Sequence, residues 1–248
     1  MSEILNARRL PDDVQKIYAP YLAKMISLHQ GNIACAFIYG SATGANYRRG
    51  ISDINSGYIL CQMRFDSLKK SLSCVAEGLK KKISAPLFLT EEYISSSKDV
   101  FPIEFLDIKE NHVLLYGRNI LDSLDISDEY VRLFCEQQVK GKILRILQGY
   151  LEQGSRHQKV EALMKESFHS LLPVFRSILR LQKSAPPVEK PQIIQELCAR
   201  CQLEKDVFLT IHNHLPGKIR WKAQEVEIYF KKYLDQLVAL AGYLDRWR

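Results

Sequence analysis

Two short polar stretches, each next to an apolar run, carry the residue types needed for phosphate chemistry. An apolar run over 33–38 leads into Gly40-Ser41, and Asp53-Ile54-Asn55 precedes a second apolar run over 58–60. Glycine lets a backbone approach a ligand closely, and free N–H groups at a turn attract phosphate. Residues two apart on a strand share a face, so Asp53 and Asn55 are expected to point the same way. The sequence therefore predicts a phosphate-binding turn beside a carboxylate and an amide, an arrangement suited to metal-assisted phosphoryl transfer.

The elements that position these residues follow from the pattern of the first half of the chain. Helical spacing predicts a helix over 11–29, kinked or split at Pro20, and an amphipathic helix over 65–82 with Leu68, Leu72, Val75, Ala76 and Leu79 on one face. Apolar runs predict four strands, the third at a sheet edge because it contains Pro86. These strands span 33–39, 54–61, 83–89 and 101–108. Strands that alternate with helices predict an α/β (α+β) arrangement, with a small mixed sheet.

The second half of the chain has a different pattern. Helical spacing recurs throughout, and strand-like alternation is almost lost. The predicted helices span 127–152, 157–183, 190–202, 204–214 and 221–247. This pattern predicts an all-α helical bundle as a second domain, with domains at 1–125 and 126–248.

Composition and net charge limit the classes of protein to which the sequence can belong. The chain has 248 residues, of which 46% are hydrophobic, and its formal net charge is +7, with +6 of that charge in residues 126–248. The sequence lacks a secretory signal and an apolar run of about 18 residues, so we expect a cytoplasmic protein with no membrane partner. The basic half suits a nucleic-acid or protein partner, for example in a toxin–antitoxin-like pair, but it equally suits a solvated surface. A homodimer is one assembly that the sequence leaves open.

The stretch Gly40-Ser41 followed by Asp53-Ile54-Asn55, flanked by apolar strands, resembles the Gly-Ser…Asp-x-Asp signature of the nucleotidyltransferase superfamily. That superfamily includes DNA polymerase beta, the kanamycin-type antibiotic nucleotidyltransferases and the minimal nucleotidyltransferases. The resemblance covers about residues 30–120, and a helical domain also follows the catalytic domain in antibiotic-modifying members.

The resemblance implies roles for the matching residues. Gly40 and Ser41 would hold the β- and γ-phosphates of a nucleoside triphosphate, and Arg48 and Arg49 would clamp them. The metal ligands would be Asp53, Asn55 and Glu104, holding Mg²⁺, and the catalytic carboxylates would be Asp53 and Glu104. Glu104 is assigned because the family carries a third carboxylate on a later strand. Asp107 is the second choice, since period-2 counting places it on the other face of that strand.

Asn55 departs from the family pattern, because it stands where the family has its second aspartate. An amide oxygen can bind Mg²⁺ but carries no charge to balance the cation. Two functions follow from this difference. The protein is either a nucleotidyltransferase with weakened or altered activity, or a catalytically inactive nucleotide-binding or protein-interaction module. The implied acceptor is a hydroxyl on a small molecule, a protein or an RNA.

Structural roles are the alternatives for each of these residues. Gly40-Ser41 also fits a plain turn, and Asp53 also fits a cap of a helix or strand. Glu104 also fits a structural ion pair with a lysine. Arg48 and Arg49 also fit a solvated loop.

Overall fold

The computed structural model describes residues 4–44, 47–154, 156–214 and 221–247. The Cα positions group into two compact units, Met1–Ile126 and Ser127–Arg248. The first unit contains the sheet, and the second contains only helices among its described residues.

A mixed four-stranded sheet forms the centre of the first unit. Its strands are β1 Ile33–Tyr39, β2 Asn55–Leu60, β3 Leu87–Thr90 and β4 His112–Gly117. Their order is β3-β2-β1-β4, with β1 antiparallel to both neighbours and β2 parallel to β3. The predicted small mixed sheet is confirmed, and the strand that follows Pro86 lies at an edge as expected.

Helices cover both faces of this sheet. They are α1 Asp12–His29, α2 Phe65–Leu79, α3 Glu91–Ser96 and α4 Pro102–Glu110. Alternate side chains of β1 enter two separate cores. Ile38 packs with Tyr18 and Leu22 of α1 in one core, whereas Phe37 packs with Phe105 and Ile108 of α4 in the other.

Gly57 allows the second of these cores to close against the sheet. It lies opposite Phe37 in the β1–β2 ladder. A Cβ atom on residue 57 would lie 2.2 Å from Cζ of the Phe37 ring, so a side chain cannot occupy this position without displacing the ring.

One predicted element of the first unit is wrong. The segment 101–108 is not a strand; it forms most of α4 (Pro102–Glu110), and the fourth strand is β4 instead. Pro102 occupies the first turn of α4, where its missing N–H costs nothing, and Phe105 and Ile108 are one helical turn apart on the buried side. Pro20 lies inside the continuous helix α1, so of its two predicted effects, a kink or a split, the split does not occur.

The second unit has the predicted helical character. Its helices are α5 Asp128–Gln153, α6 His157–Leu181, α7 Lys190–Cys201, α8 Lys205–Asn213 and α9 Ala223–Arg246. Their apolar faces meet in one interior, where the rings of Phe168, Phe175 and Phe208 lie against one another. None of the helices that the structure describes is long and apolar enough to cross a membrane.

Candidate functional site

The glycine turn at the end of β1 is the first part of the candidate site. Gly40 has φ +77°, a left-handed conformation that favours glycine, and it begins a 3₁₀ helix over Gly40–Thr43. Its N–H donates to the backbone oxygen of Asn111 at 3.2 Å, and the Thr43 hydroxyl donates to the Gly40 oxygen at 2.8 Å. Ala42 is fully buried and anchors the turn, whereas Ser41 is exposed.

These contacts change which groups of the turn are available to an anion. The Gly40 N–H is engaged within the protein, although the sequence assigned it to phosphate. The first N–H groups of a helix have no acceptor inside that helix. The turn therefore offers the N–H and hydroxyl of Ser41, held in place by the left-handed Gly40.

The Asp-x-Asn segment lies beside this turn. Asn55 is the first residue of β2 and pairs with the last residue of β1, Tyr39. A Cβ atom added to Gly40 would lie 3.6 Å from Nδ2 of Asn55, so the amide is in van der Waals range of the turn. Ile54 is buried, while Asp53 is exposed. Asp53, two residues before Asn55, therefore has a carboxylate that is open to a ligand from solvent.

The two arginines of the loop before Asp53 differ in their surroundings. Both side chains are exposed. Nε of Arg49 lies 3.9 Å from Oδ2 of Asp13, so Arg49 faces a carboxylate of α1. The backbone N–H of Arg48 donates to Oγ of Ser52 at 3.0 Å, and its guanidinium forms no ion pair with a described residue. Arg48 is therefore the more available of the two for a phosphate.

Glu104 lies on a helix and not on a strand. The strand position from which its catalytic and metal-binding roles were inferred is therefore wrong. Glu104 lies in the first turn of α4, and its pKa is raised by partial burial, then by the nearby charge of Asp107. Residues 104, 107 and 111 lie on one side of a helix, so Glu104 and Asp107 do not point to opposite faces.

Because the end of α4 contacts the glycine turn, the position of each acid along α4 gives its distance from that contact. The oxygen of Asn111 accepts the Gly40 N–H, so this end of α4 touches the candidate site. At 1.5 Å of rise per residue, Glu104 is about 10 Å along the helix from Asn111, and Asp107 is about 6 Å from it. Of these two acids, Asp107 is therefore the one nearer to the glycine turn along the helix.

His112 and Tyr39 are site residues that the sequence reasoning missed. Tyr39 pairs with Asn55 on one side and with His112, the first residue of β4, on the other. The half-buried Tyr39 has a raised pKa because of its burial. His112 is thus placed at the same end of the sheet as Asn55, on the other side of β1. The signal that could have identified it is the polar pair Asn111-His112 directly before an apolar run.

The His112 ring is held in a fixed orientation. Its Nδ1 lies 3.1 Å from the oxygen of Ile108 and 2.9 Å from the oxygen of Lys109, so this nitrogen acts as a donor. Its Nε2 lies 3.3 Å from Oδ1 of Asn119 and 3.8 Å from Oδ1 of Asp122. The ring is therefore part of a hydrogen-bonded structure that supports the strand ends around the turn.

The oxygen ligands near the turn fit one magnesium ion that also binds a phosphate of the nucleotide. Among the described residues, no group of three His, Cys, Asp or Glu side chains is arranged to hold a metal. Asp53 offers one carboxylate and Asn55 one amide oxygen. Mg²⁺ is commonly bound by one or two carboxylates together with substrate phosphates and water. The residues present therefore suit an ion that arrives with a nucleotide, rather than two ions held by three carboxylates.

Comparisons with known proteins bear on the fold. No family model matches the sequence, and no curated protein matches it. Among solved structures, the chain is similar to the spectinomycin adenyltransferase AAD(9) from Enterococcus faecialis, whose crystal structure contains ATP and spectinomycin. The TM-score is 0.52 at 13% sequence identity, over 89% of this chain and 98% of that chain. The chain therefore has a nucleotidyltransferase-like fold, with a small mixed sheet followed by helices.

Proposed function

We propose that the protein transfers a nucleoside monophosphate from a magnesium-bound nucleoside triphosphate to a hydroxyl group of a small molecule, with activity weakened by Asn55. The observation that carries this proposal is the left-handed Gly40 turn beside Asn55 and the exposed Asp53. The nucleotidyltransferase-like fold supports it. ATP and spectinomycin, which the similar structure contains, are the first nucleotide and the first acceptor to test.

The proposed reaction is a displacement at the α-phosphorus. The acceptor oxygen forms a new bond to this phosphorus, the bond to the bridging oxygen breaks, and pyrophosphate leaves. Ser41 would bind the triphosphate through its N–H and hydroxyl, and Arg48 would neutralise part of its charge. The hydroxyl proton would pass to a carboxylate, for which Asp53 and the α4 acids Asp107 and Glu104 are the candidates.

Magnesium would neutralise phosphate charge and orient the triphosphate when bound. Asp53 and Asn55 would hold it from the protein side, together with phosphate and water oxygens. Because the amide of Asn55 is uncharged, the metal would bind more weakly than between two carboxylates. Loss of one such electrostatic contact to the transition state commonly costs about 10²–10³ in rate.

Transfer assays with labelled nucleotide test this proposal. The protein is incubated with ATP, Mg²⁺ or Mn²⁺ and a panel of hydroxyl acceptors that includes spectinomycin. We expect slow transfer by the natural sequence, an increase of about 10-fold or more for Asn55→Asp, and loss of transfer for Asp53→Asn. A matched control is Asp99→Asn, an acid remote in sequence from the turn. Transfer that is insensitive to Asp53→Asn would contradict the assigned site.

A second candidate is a non-catalytic nucleotide-binding module. It is favoured by Asn55, which does not supply the second carboxylate that the family has at this position. In this case ATP binds with little dependence on Mg²⁺, and Asn55→Asp produces no transfer. Calorimetry with and without Mg²⁺, measured beside the transfer assay, distinguishes the two candidates. Absence of any nucleotide affinity would contradict both.

A further inference from the structure

A cleft lies at the end of the sheet opposite the glycine turn. It has a volume of about 340 Å³, and the end of α1, the loop after β2 and the first turn of α2 form its walls. The Asn32 side chain fixes the loop, since its Nδ2 donates to the oxygen of Gln62 and its Oδ1 accepts the Gln62 N–H, each at 3.0 Å. The seven residues of β1 separate this cleft from the Gly40 turn by about 20 Å. The cleft is large enough for a small ligand, and it lies apart from the candidate site.

His29 is a buried polar residue that lines this cleft, with 6% of its surface exposed. Its Nε2 lies 2.9 Å from Oγ of Ser71, and that hydroxyl donates its one proton to the oxygen of Ser67 at 2.9 Å. Ser71 therefore accepts from His29, and Nε2 carries the proton of the neutral imidazole. Nδ1 forms no hydrogen bond with a described residue. Because a buried polar atom without a partner is unfavourable, Nδ1 is the nitrogen that remains for a ligand in the cleft.

Positive side chains predominate around the cleft. Arg64 and Lys70 line it, and neither forms an ion pair with a described residue. Asp66 is a carboxylate that also lines it. Burial, and then the charge of Lys70, lower the pKa of His29. From β3, the His29 ring meets the uncharged ring of Phe88, with 5.5 Å between the centroids. Among the described residues that line the cleft, two cations therefore stand against one carboxylate before His29 is protonated.

The first turn of α2 adds hydrogen-bond donors to the same cleft. α2 has 15 residues, and Arg64 at its N-cap makes no side-chain capping bond. The first N–H groups of a helix have no acceptor inside it and attract anions. The end of α1 opposes this effect little, because the N–H groups of Gln30 and Asn32 close its last turn. The carboxylates of Glu91 and Glu92 line a neighbouring cleft that shares Arg64. The end of α2 therefore reinforces the positive charge of the cleft.

We propose that this cleft binds a phosphate group, as free phosphate or a phosphomonoester, between Arg64, Lys70 and the first turn of α2, and that His29 takes up a proton at Nδ1 as the anion binds. The proton comes from solvent. The protonated imidazole donates from both nitrogens, one to Ser71 and one to a phosphate oxygen. Bound negative charge favours the protonated ring, so anion binding and protonation strengthen each other. Binding should therefore weaken as pH rises through about 6.5, the ordinary histidine pKa. This site does not depend on the transfer reaction proposed above.

Sulfate is the first probe, because it has the same tetrahedral shape and keeps a constant charge between pH 5 and pH 8. The ring signals of the six histidines of the full chain are followed by NMR in a buffer without phosphate, and the His29 signal is identified from His29→Gln. Saturating sulfate should raise the proton affinity of His29 about 10-fold or more, seen as a higher pKa. Calorimetry should give a sulfate affinity about 5- to 10-fold higher at pH 6 than at pH 8. An unchanged pKa of His29 at saturation would overturn the proposal, as would absence of sulfate binding.

Competition distinguishes the two forms of the ligand. Inorganic phosphate and glycerol phosphate are each titrated against the sulfate complex at pH 6. Displacement by glycerol phosphate shows that the cleft admits an ester, and displacement by inorganic phosphate alone restricts the ligand to the free ion. If neither displaces sulfate, the assigned class of ligand is wrong.

Charge variants test the geometry of the cleft. Arg64→Met and Lys70→Met should each weaken sulfate binding about 10-fold, whereas Asp66→Asn should strengthen it about 2- to 5-fold. His29→Gln should remove most of the pH dependence. The matched control is Lys69→Met, adjacent to Lys70 but not among the residues that line the cleft, and it should leave the affinity unchanged. Circular dichroism confirms that the variants fold. Equal weakening by Lys69→Met would mean that sulfate responds only to the general charge of α2, and would contradict the assigned cleft.

Discussion

The helices α2 and α9 have similar apolar periodicity but bury opposite kinds of side chain. α9 buries mostly large apolar residues, which are Val226, Phe230, Tyr233, Leu237, Leu240 and Leu244. α2 buries the small ones, Ser67, Ser71, Cys74 and Gly78, and leaves its leucines and Phe65 in solvent. The two helices therefore use the same kind of pattern in different ways.

The partners of the two helices explain this difference. α2 faces the large ring of Tyr21 on α1, which would lie 2.8 Å from a Cβ atom at Gly78, so a small residue is needed there. α9 faces the interior of the bundle, where the Phe230 ring stacks on Tyr150 at 4.4 Å. The hydroxyls of Tyr233 and Ser167 form a hydrogen bond of 2.9 Å in this interior. Periodicity thus identifies the apolar side of a helix, whereas shape complementarity selects the side that is buried.

The largest change in the free energy of unfolding should come from truncation of a buried apolar residue of α9. Leu237 is fully buried, so Leu237→Ala should lower the free energy of unfolding of the second unit by about 2–5 kcal/mol, through lost apolar burial and the cavity that remains. The control is Val238→Ala on the same helix, where the valine is 54% exposed and a change within about 0.5 kcal/mol is expected. Native-state hydrogen exchange of α9 amides measures both. Equal losses would mean that the buried residues of α9 do not supply the core.

A smaller change in stability, of opposite sign at the two sites, should result from alanine substitution of two helical glycines, Gly78 and Gly141. Gly78→Ala places a Cβ atom 2.8 Å from the Tyr21 ring, whereas a Cβ atom at Gly141 of α5 meets nothing within 4 Å. Gly141→Ala should therefore stabilise its unit by about 0.5–1 kcal/mol, through helix propensity alone. Gly78→Ala should be destabilising by about 1–3 kcal/mol despite the same gain, because of overpacking. If Gly78→Ala is as stabilising as Gly141→Ala, the inward side of α2 is not closely packed on α1.

The sequence predicted those parts of the fold that depend on local pattern. Apolar runs and turn glycines located β1, β2 and the Gly40 turn, and helical spacing located α5 to α9 within a few residues. The strand prediction for 101–108 was wrong because this segment is short and mostly apolar, a composition that fits either a strand or a buried helix. Periodicity does not separate these two over so short a length.

The candidate site was predictable only where neighbours in sequence are neighbours in space. Gly40 directly follows β1, Asp53 lies two residues before β2 and Asn55 begins it, and the structure brings Gly40 and Asn55 together. His112 reaches the same place through the pairing of β4 with β1, a register that the sequence alone does not give. Glu104 was assigned through the wrong element, so its distance from the turn could not be foreseen.

Lower pH should loosen the inward side of α2 before it affects α9. Nε2 of His29 lies 2.9 Å from Oγ of Ser71 on α2, and burial, followed by the charge of Lys70, lowers the pKa of His29. A lowered pKa means that the unfolded state takes up a proton first. The neutral His29 therefore contributes its full stability above the unfolded pKa, about 6.5, and loses it as pH falls below that value. α9 contains no histidine.

Unfolding measurements between pH 8 and pH 5 test the role of His29. His29→Gln keeps a donor for Ser71 and removes the titration, so stability should fall less with pH in this variant than in the natural chain. The matched comparison is His169→Gln on α6, since His169 also has a pKa lowered by burial and by nearby lysines. Its effect should appear in exchange of α6 amides and leave α2 amides unchanged. An unaltered pH dependence of α2 exchange in His29→Gln would contradict the assignment.

The smallest change in the free energy of unfolding should come from substitution of an exposed apolar residue of α2. Leu72 is 66% exposed, so Leu72→Ser removes little apolar burial within one chain. The change in the free energy of unfolding, measured by chemical denaturation, should stay within about 0.5 kcal/mol. A loss of about 2 kcal/mol or more would mean that the apolar residues on this side of α2 are part of the core, as in α9.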